Sequence, residues 1–126
     1  MRSAISALVL ALAMQAQAGE PVAAPSVQLL VQNSRLAGFR YAEAKDVWPS
    51  LRVGDVLELR RDPGNPHDGN AVRVLWRGRM LGYVPRRENA ALAWGMDRGE
   101  RVGARISRLL AHPNPARRIE FEVYVE

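Results

Sequence analysis

One stretch, Arg60-Arg61-Asp62-Pro63-Gly64-Asn65-Pro66-His67-Asp68-Gly69-Asn70-Ala71-Val72-Arg73-Val74, constrains this chain more than any other. The runs at its two ends, Val56-Leu57-Glu58-Leu59 and Ala71-Val72-Arg73-Val74, alternate or stay apolar as strands do. The connection between them holds two prolines, two glycines, two asparagines and two aspartates. Proline fixes φ, and Asn and Asp side chains bond nearby backbone, so such a connection is a shaped loop rather than a slack tether. Loops of this kind, held by strands, carry function more often than the strands do.

The rest of the chain reads as short strands. Val27–Gln32 is expected as the first. Gly38-Phe39-Arg40-Tyr41 follows, its glycine allowing a bulge or a close backbone approach. Residues 42–48 read either as a helical turn or as a loop, ended by Pro49. Val56–Arg61, Asn70–Trp76 and Arg79–Val84 are expected as strands, the last two joined by a tight Arg77-Gly78 turn. On the fourth strand Met80, Gly82 and Val84 fall on one face, Leu81 and Tyr83 on the other. Arg86–Arg98 reads as the one helix, with Leu92, Ala93 and Met96 on its apolar stripe and Gly99 at C′. Val102–Leu110 is a fifth strand, and residues 112–116 form a turn. Arg118–Val125 is the clearest period-two strand, with Ile119, Phe121, Val123 and Val125 on one face. Six short strands and one helix predict a mainly β fold: a small, partly closed barrel of the OB-like or SH3-like kind. Trp48, Trp76 and Trp94 are expected in the core.

The N-terminus reads as a processing signal. Arg2 supplies a positive charge, residues 4–14 form an apolar run too short to span a bilayer, and Ala16-Gln17-Ala18 is an A-x-A cleavage site. Cleavage after Ala18 leaves 108 of the 126 residues, with residues 19–26 as a small Pro/Ala-rich linker and residues 27–126 as one domain. The expected location is exported, periplasmic or secreted. With no cysteine, the core must stabilise the domain without disulfides. Two histidines and no cysteine leave no expected metal site, and no cofactor is expected. Seventeen of the eighteen basic residues are arginine and the net charge is +5, which suits either phosphate recognition or a merely solvated surface.

Four segments lie in order along the chain: Gly38-Phe39-Arg40-Tyr41, Gly54-Asp55-Val56-Leu57-Glu58-Leu59, the loop from Asp62 to Val72, and Leu81-Gly82-Tyr83-Val84-Pro85. Together they resemble the HIRAN domain over about Val27 to Val125. HIRAN domains stand alone in bacteria and at the front of helicase-like remodelling proteins in eukaryotes. The resemblance implies an OB-like barrel that binds single-stranded DNA and captures a free 3′-hydroxyl end. It implies that Arg40 contacts a phosphate and Tyr41 stacks on a base. Asn65 and Asp68 would hold the end nucleotide, with Asp68 accepting a hydrogen bond from the hydroxyl, and Tyr83 and Arg86 would add sugar or phosphate contacts. His67 departs from the tyrosine that DNA-binding members often carry, and the 109–118 turn lacks the family's aromatic residue.

The same residues also suit nucleic acid on chemical grounds alone. Single-strand binders join a cationic groove to aromatic faces, and stacking is worth about 1–3 kcal/mol per base. A carboxylate repels a phosphodiester but accepts a hydrogen bond from a terminal hydroxyl, so Asp68 would favour ends over internal positions. Each residue also has a structural reading: Asp68, Asn65 and Asn70 as turn formers, Tyr41 and Tyr83 as half-buried barrel residues, Arg86 and Arg87 as solvated charges. Three functions remain open. One is a non-catalytic nucleic-acid-binding module; another is an exported module for an envelope protein partner. The third is a metal-dependent hydrolase using Asp62 and Asp68, for which the sequence offers no dedicated base.

Overall fold

The computed structural model describes residues 29–39 and 42–126. The expected leader and linker, Arg40 and Tyr41 lie outside the described residues. Six strands form one antiparallel sheet: β1 (Leu29–Arg35), β2 (Val56–Arg61), β3 (Val72–Trp76), β4 (Arg79–Tyr83), β5 (Val102–Leu109) and β6 (Ile119–Val125). Their order is β1-β6-β5-β2-β3-β4. Among the described residues a single-turn helix, α1 (Ala44–Val47), a two-turn helix, α2 (Ala90–Asp97), and three short 3₁₀ turns accompany the sheet.

Strand β2 changes partner along its length. Val56 and Leu57 pair with Arg105 and Ala104 of β5, whereas Glu58–Arg61 pair with Leu75–Val72 of β3. The sheet therefore folds over itself at β2, as small barrels require. It does not close along a full ladder. Its two outer edges meet at one bridge, where Ala37, just after β1, exchanges both backbone hydrogen bonds with Tyr83 of β4, each 2.9 Å. The expected partly closed barrel is this arrangement.

Period-two patterning on β6 turns Ile119, Phe121 and Val123 fully inward. They meet Val72 and Val74 of β3, Ile106 of β5, and Leu92 and Ala93 of α2 in one core. Burying each of the larger side chains contributes about 1.5–3 kcal/mol. The Arg77-Gly78 turn has φ of +47° and +78°, the two positive values that a two-residue hairpin favours.

The structure corrects four expectations. Strand β1 starts at Leu29 among the described residues and runs on to Arg35, past the expected end at Gln32, because Asn33, Ser34 and Arg35 pair with Glu122, Phe121 and Glu120. The helix expected over 86–98 is divided: Arg86–Glu88 is a 3₁₀ turn, and α2 begins only at Ala90. On β4, Val74 pairs with Gly82 and Leu75 with Met80, so Leu81 is an extra bulged residue. The bulge breaks strict alternation and brings both Leu81 and Val84 into the core. Trp94 projects outward from α2 and is 56% exposed, while Trp76 is buried and donates its indole N–H to Asp55 at 3.0 Å.

Candidate functional site

The 62–70 loop holds its shape largely through its own polar groups. Its base closes where the Asp62 amide donates to Ala71 O at 2.9 Å. Asn65 accepts the His67 amide on its side-chain oxygen at 2.9 Å, and Asp68 accepts the Asn70 amide at 2.9 Å. Both are Asx turns, so the structural roles foreseen for Asn65 and Asp68 are present. Arg61, at the end of β2, clamps the loop from outside. Its guanidinium donates to Ala71 O at 2.7 Å and Gly69 O at 2.9 Å, and forks onto the Asp97 carboxylate of α2.

The second Asp68 oxygen reaches across to α2. It accepts a hydrogen bond from the Asn89 side-chain amide at 2.7 Å. Asn89 occupies the N-cap position of α2, but its backbone is helical (φ −98°, ψ −20°) and its side chain caps nothing. It is 2% exposed, and Asp68 is its hydrogen-bond partner. That bond, then the Asn70 amide, then the positive charges of Arg86 and Arg61 hold the Asp68 carboxyl below the usual carboxylate range. Asp68 is therefore an oriented anion at neutral pH. Each of its oxygens can accept a second hydrogen bond.

Asn65, His67, Asp68, Tyr83 and Arg86 line one cleft of about 210 Å³, with Asn89 at its base. Five of the seven residues singled out from the sequence thus come together, and the other two, Arg40 and Tyr41, fall outside the described residues. The Ala37–Tyr83 bridge fixes one wall, and the loop supplies the other. Arg86 is exposed and makes no ion pair among the described residues. The cleft thus presents an aromatic face, an imidazole, a carboxylate and a free guanidinium.

Asp62 does not line this cleft. Its carboxylate takes Arg73 at 3.2 Å and Asn65 at 3.3 Å. Among the described residues no three carboxylate or histidine groups cluster as a metal site would require.

A family model described as the HIRAN domain matches residues 29–126. The chain belongs to the HIRAN domain family. A solved protein from Lactobacillus plantarum superposes on this HIRAN chain with a TM-score of 0.69 at 27% identity, covering 79% of this chain and 95% of that one. The HIRAN domain of human HLTF superposes with a TM-score of 0.59 at 20% identity, covering 78% and 77%. The second likeness concerns the fold alone. No curated protein matches. The HIRAN family is one of DNA-binding modules.

Sequence reasoning missed Asn89 and Arg61. Asn89 was absorbed into a continuous helix. Asparagine is poor in a helix interior and favoured at its start, a signal that could have moved the helix start to residue 90. Nothing local marks Arg61, whose partners lie 8, 10 and 36 residues away.

Proposed function

We propose that this HIRAN domain is a non-catalytic nucleic-acid-binding module that receives the end of a single DNA strand, with its free 3′-hydroxyl, in the cleft between the 62–70 loop and Tyr83. The observation that carries the reading is the convergence of Asn65, His67, Asp68, Tyr83 and Arg86 on that one cleft. Its volume, about 210 Å³, falls below the roughly 300–1,000 Å³ of pockets that engulf a whole small ligand. A terminal sugar with part of its base suits that size better than a free metabolite. In this reading Asp68 accepts a hydrogen bond from the hydroxyl, Tyr83 and His67 offer stacking faces, and Arg86 neutralises the adjoining phosphate. Asp68, already ionised, repels a continuing phosphodiester and so disfavours internal positions. Arg40 and Tyr41 belong to the same proposal as phosphate and base contacts, and export after cleavage at Ala18 belongs to it as the expected location.

Fluorescence anisotropy of the Gly19–Glu126 protein with matched 3′-hydroxyl and 3′-phosphate oligonucleotides tests the reading. Wild type is expected to favour the hydroxyl, and Asp68→Ala to lose that preference while keeping residual affinity. Equal affinities for the two ends in wild type refute end capture.

A further inference from the structure

A second, larger cleft adjoins the first and shares Ala37 with it. It has a volume of about 640 Å³. Ser34 and Arg35 line it from the end of β1, Pro85 and Arg87 from the turn after β4, and Arg117 from the 3₁₀ turn before β6. Pro85 directly precedes Arg86 of the first cleft, so the two recesses are neighbours that meet at Ala37.

The arginines of this cleft differ in their partners. Arg35 lies 3.7 Å from Glu120, which Arg108 also approaches at 3.9 Å. Arg87 and Arg117 are exposed and form no ion pair among the described residues. An arginine with no carboxylate partner keeps its donor fork available for a phosphate. Among the described residues none that lines this cleft is aromatic, so they offer no stacking platform for bases. Two carboxylates line the cleft as well: Glu120, already faced by Arg35 and Arg108, and Glu88, which neighbours Arg87 and works against an anion there.

We propose that this second cleft is a phosphodiester-binding track, in which Arg87 and Arg117 hold backbone phosphates of the strand whose end occupies the first cleft. The inference rests on the proposed function and adds to it a footprint beyond the terminal nucleotide. Binding in the track is independent of base identity and sensitive to salt, because charge alone recognises the strand there.

The test compares 3′-hydroxyl oligothymidylates of about 3 and about 12 nucleotides, below and within the site sizes of single-strand-binding barrels, at two salt concentrations. Wild type is expected to bind the longer strand about tenfold more tightly. Arg87→Gln with Arg117→Gln is expected to abolish that length preference and to flatten the salt slope for the long strand by about 1.4. Affinity for the short strand and preference for the 3′-hydroxyl should stay unchanged. Arg101→Gln, an exposed site outside both clefts, controls for the loss of net charge and should leave the length preference intact. Glu88→Gln should strengthen long-strand binding, a gain that misfolding cannot produce. A length preference that survives the double substitution, or weaker long-strand binding in Glu88→Gln, overturns the track. Equal binding of both lengths by wild type overturns the track and leaves end capture standing. No binding of either strand overturns the parent reading and the track with it.

Discussion

Gly82→Ala is the most informative single perturbation of this fold. A Cβ built at Gly82 overlaps the Ala37 carbonyl oxygen and comes within 3.1 Å of two Leu36 side-chain atoms. The obstructing atom is backbone, so the added methyl cannot be relieved by a rotamer change. Relief requires the Ala37 segment to move away from β4, breaking the two 2.9 Å hydrogen bonds between Ala37 and Tyr83. Each such bond contributes about 0.5–1.5 kcal/mol, so their loss costs about 2 kcal/mol. For a domain of this size that lowers Tm by about 8–16 °C, measured by circular dichroism. Hydrogen exchange monitored by NMR adds a local readout: the amides of Ala37 and Tyr83 should exchange much faster while core amides of β6 stay protected. A Tm within about 3 °C of wild type, with both amides still slow, refutes the claim that this bridge joins the barrel's edges.

Asn89→Ala removes the largest influence depressing the Asp68 carboxyl, and a carbon-detected NMR titration should show its pKa rising toward the ordinary value of 3.8. The sign for stability follows. A carboxyl whose folded pKa is depressed stabilises the native state above its unfolded pKa, and that contribution disappears as pH falls through the folded value. Asn89→Ala should therefore lose stability at neutral pH and converge with wild type in strong acid; a constant difference at all pH values would contradict this coupling. Arg61→Ala removes two carbonyl contacts from a side chain that is 15% exposed and should cost about 1–2 kcal/mol, read by urea denaturation, with loop amides at Gly69 and Asn70 exchanging faster. Iodide should quench Trp94 fluorescence freely and Trp76 poorly, and Trp94→Gln should change stability by less than about 0.5 kcal/mol. Mass spectrometry of protein recovered from outside the cytoplasm should show a chain beginning at Gly19; an intact N-terminus would refute the processing expectation.

The strands with one buried face were the most legible in the sequence. On β6 the apolar residues recur every second position, and Ile119, Phe121 and Val123 are fully buried as that pattern demands. Strand β2 matched its expected limits, and the Arg77-Gly78 turn was plain from its residue types. Strand β4 was misread because its bulge at Leu81 breaks the alternation, and bulges follow from pairing with another strand, which local periodicity does not record. The split before α2 escaped notice for a related reason. Arg86–Glu88 satisfies helical spacing, yet Pro85 starts only a 3₁₀ turn, and the side chain of Asn89 is drawn toward Asp68, 21 residues earlier in the chain. The candidate site was legible as residue types and only partly as geometry. The turn chemistry of Asn65 and Asp68 was written in the loop itself, whereas the clamp from Arg61 and the bond from Asn89 depend on contacts across the barrel.

The change of partner along β2 makes that strand a spine common to both halves of the domain. Four of its residues hold the hairpin that carries Tyr83, and two hold the layer built from β5 and β6. If β2 is withdrawn, the β3–β4 hairpin and the β1–β6–β5 layer keep their own ladders but no ladder joins them, so the barrel should melt in one cooperative step. Damage far from the recess, at Val56 or Leu57, would then reach the ligand-facing loop through global unfolding rather than through any local pathway.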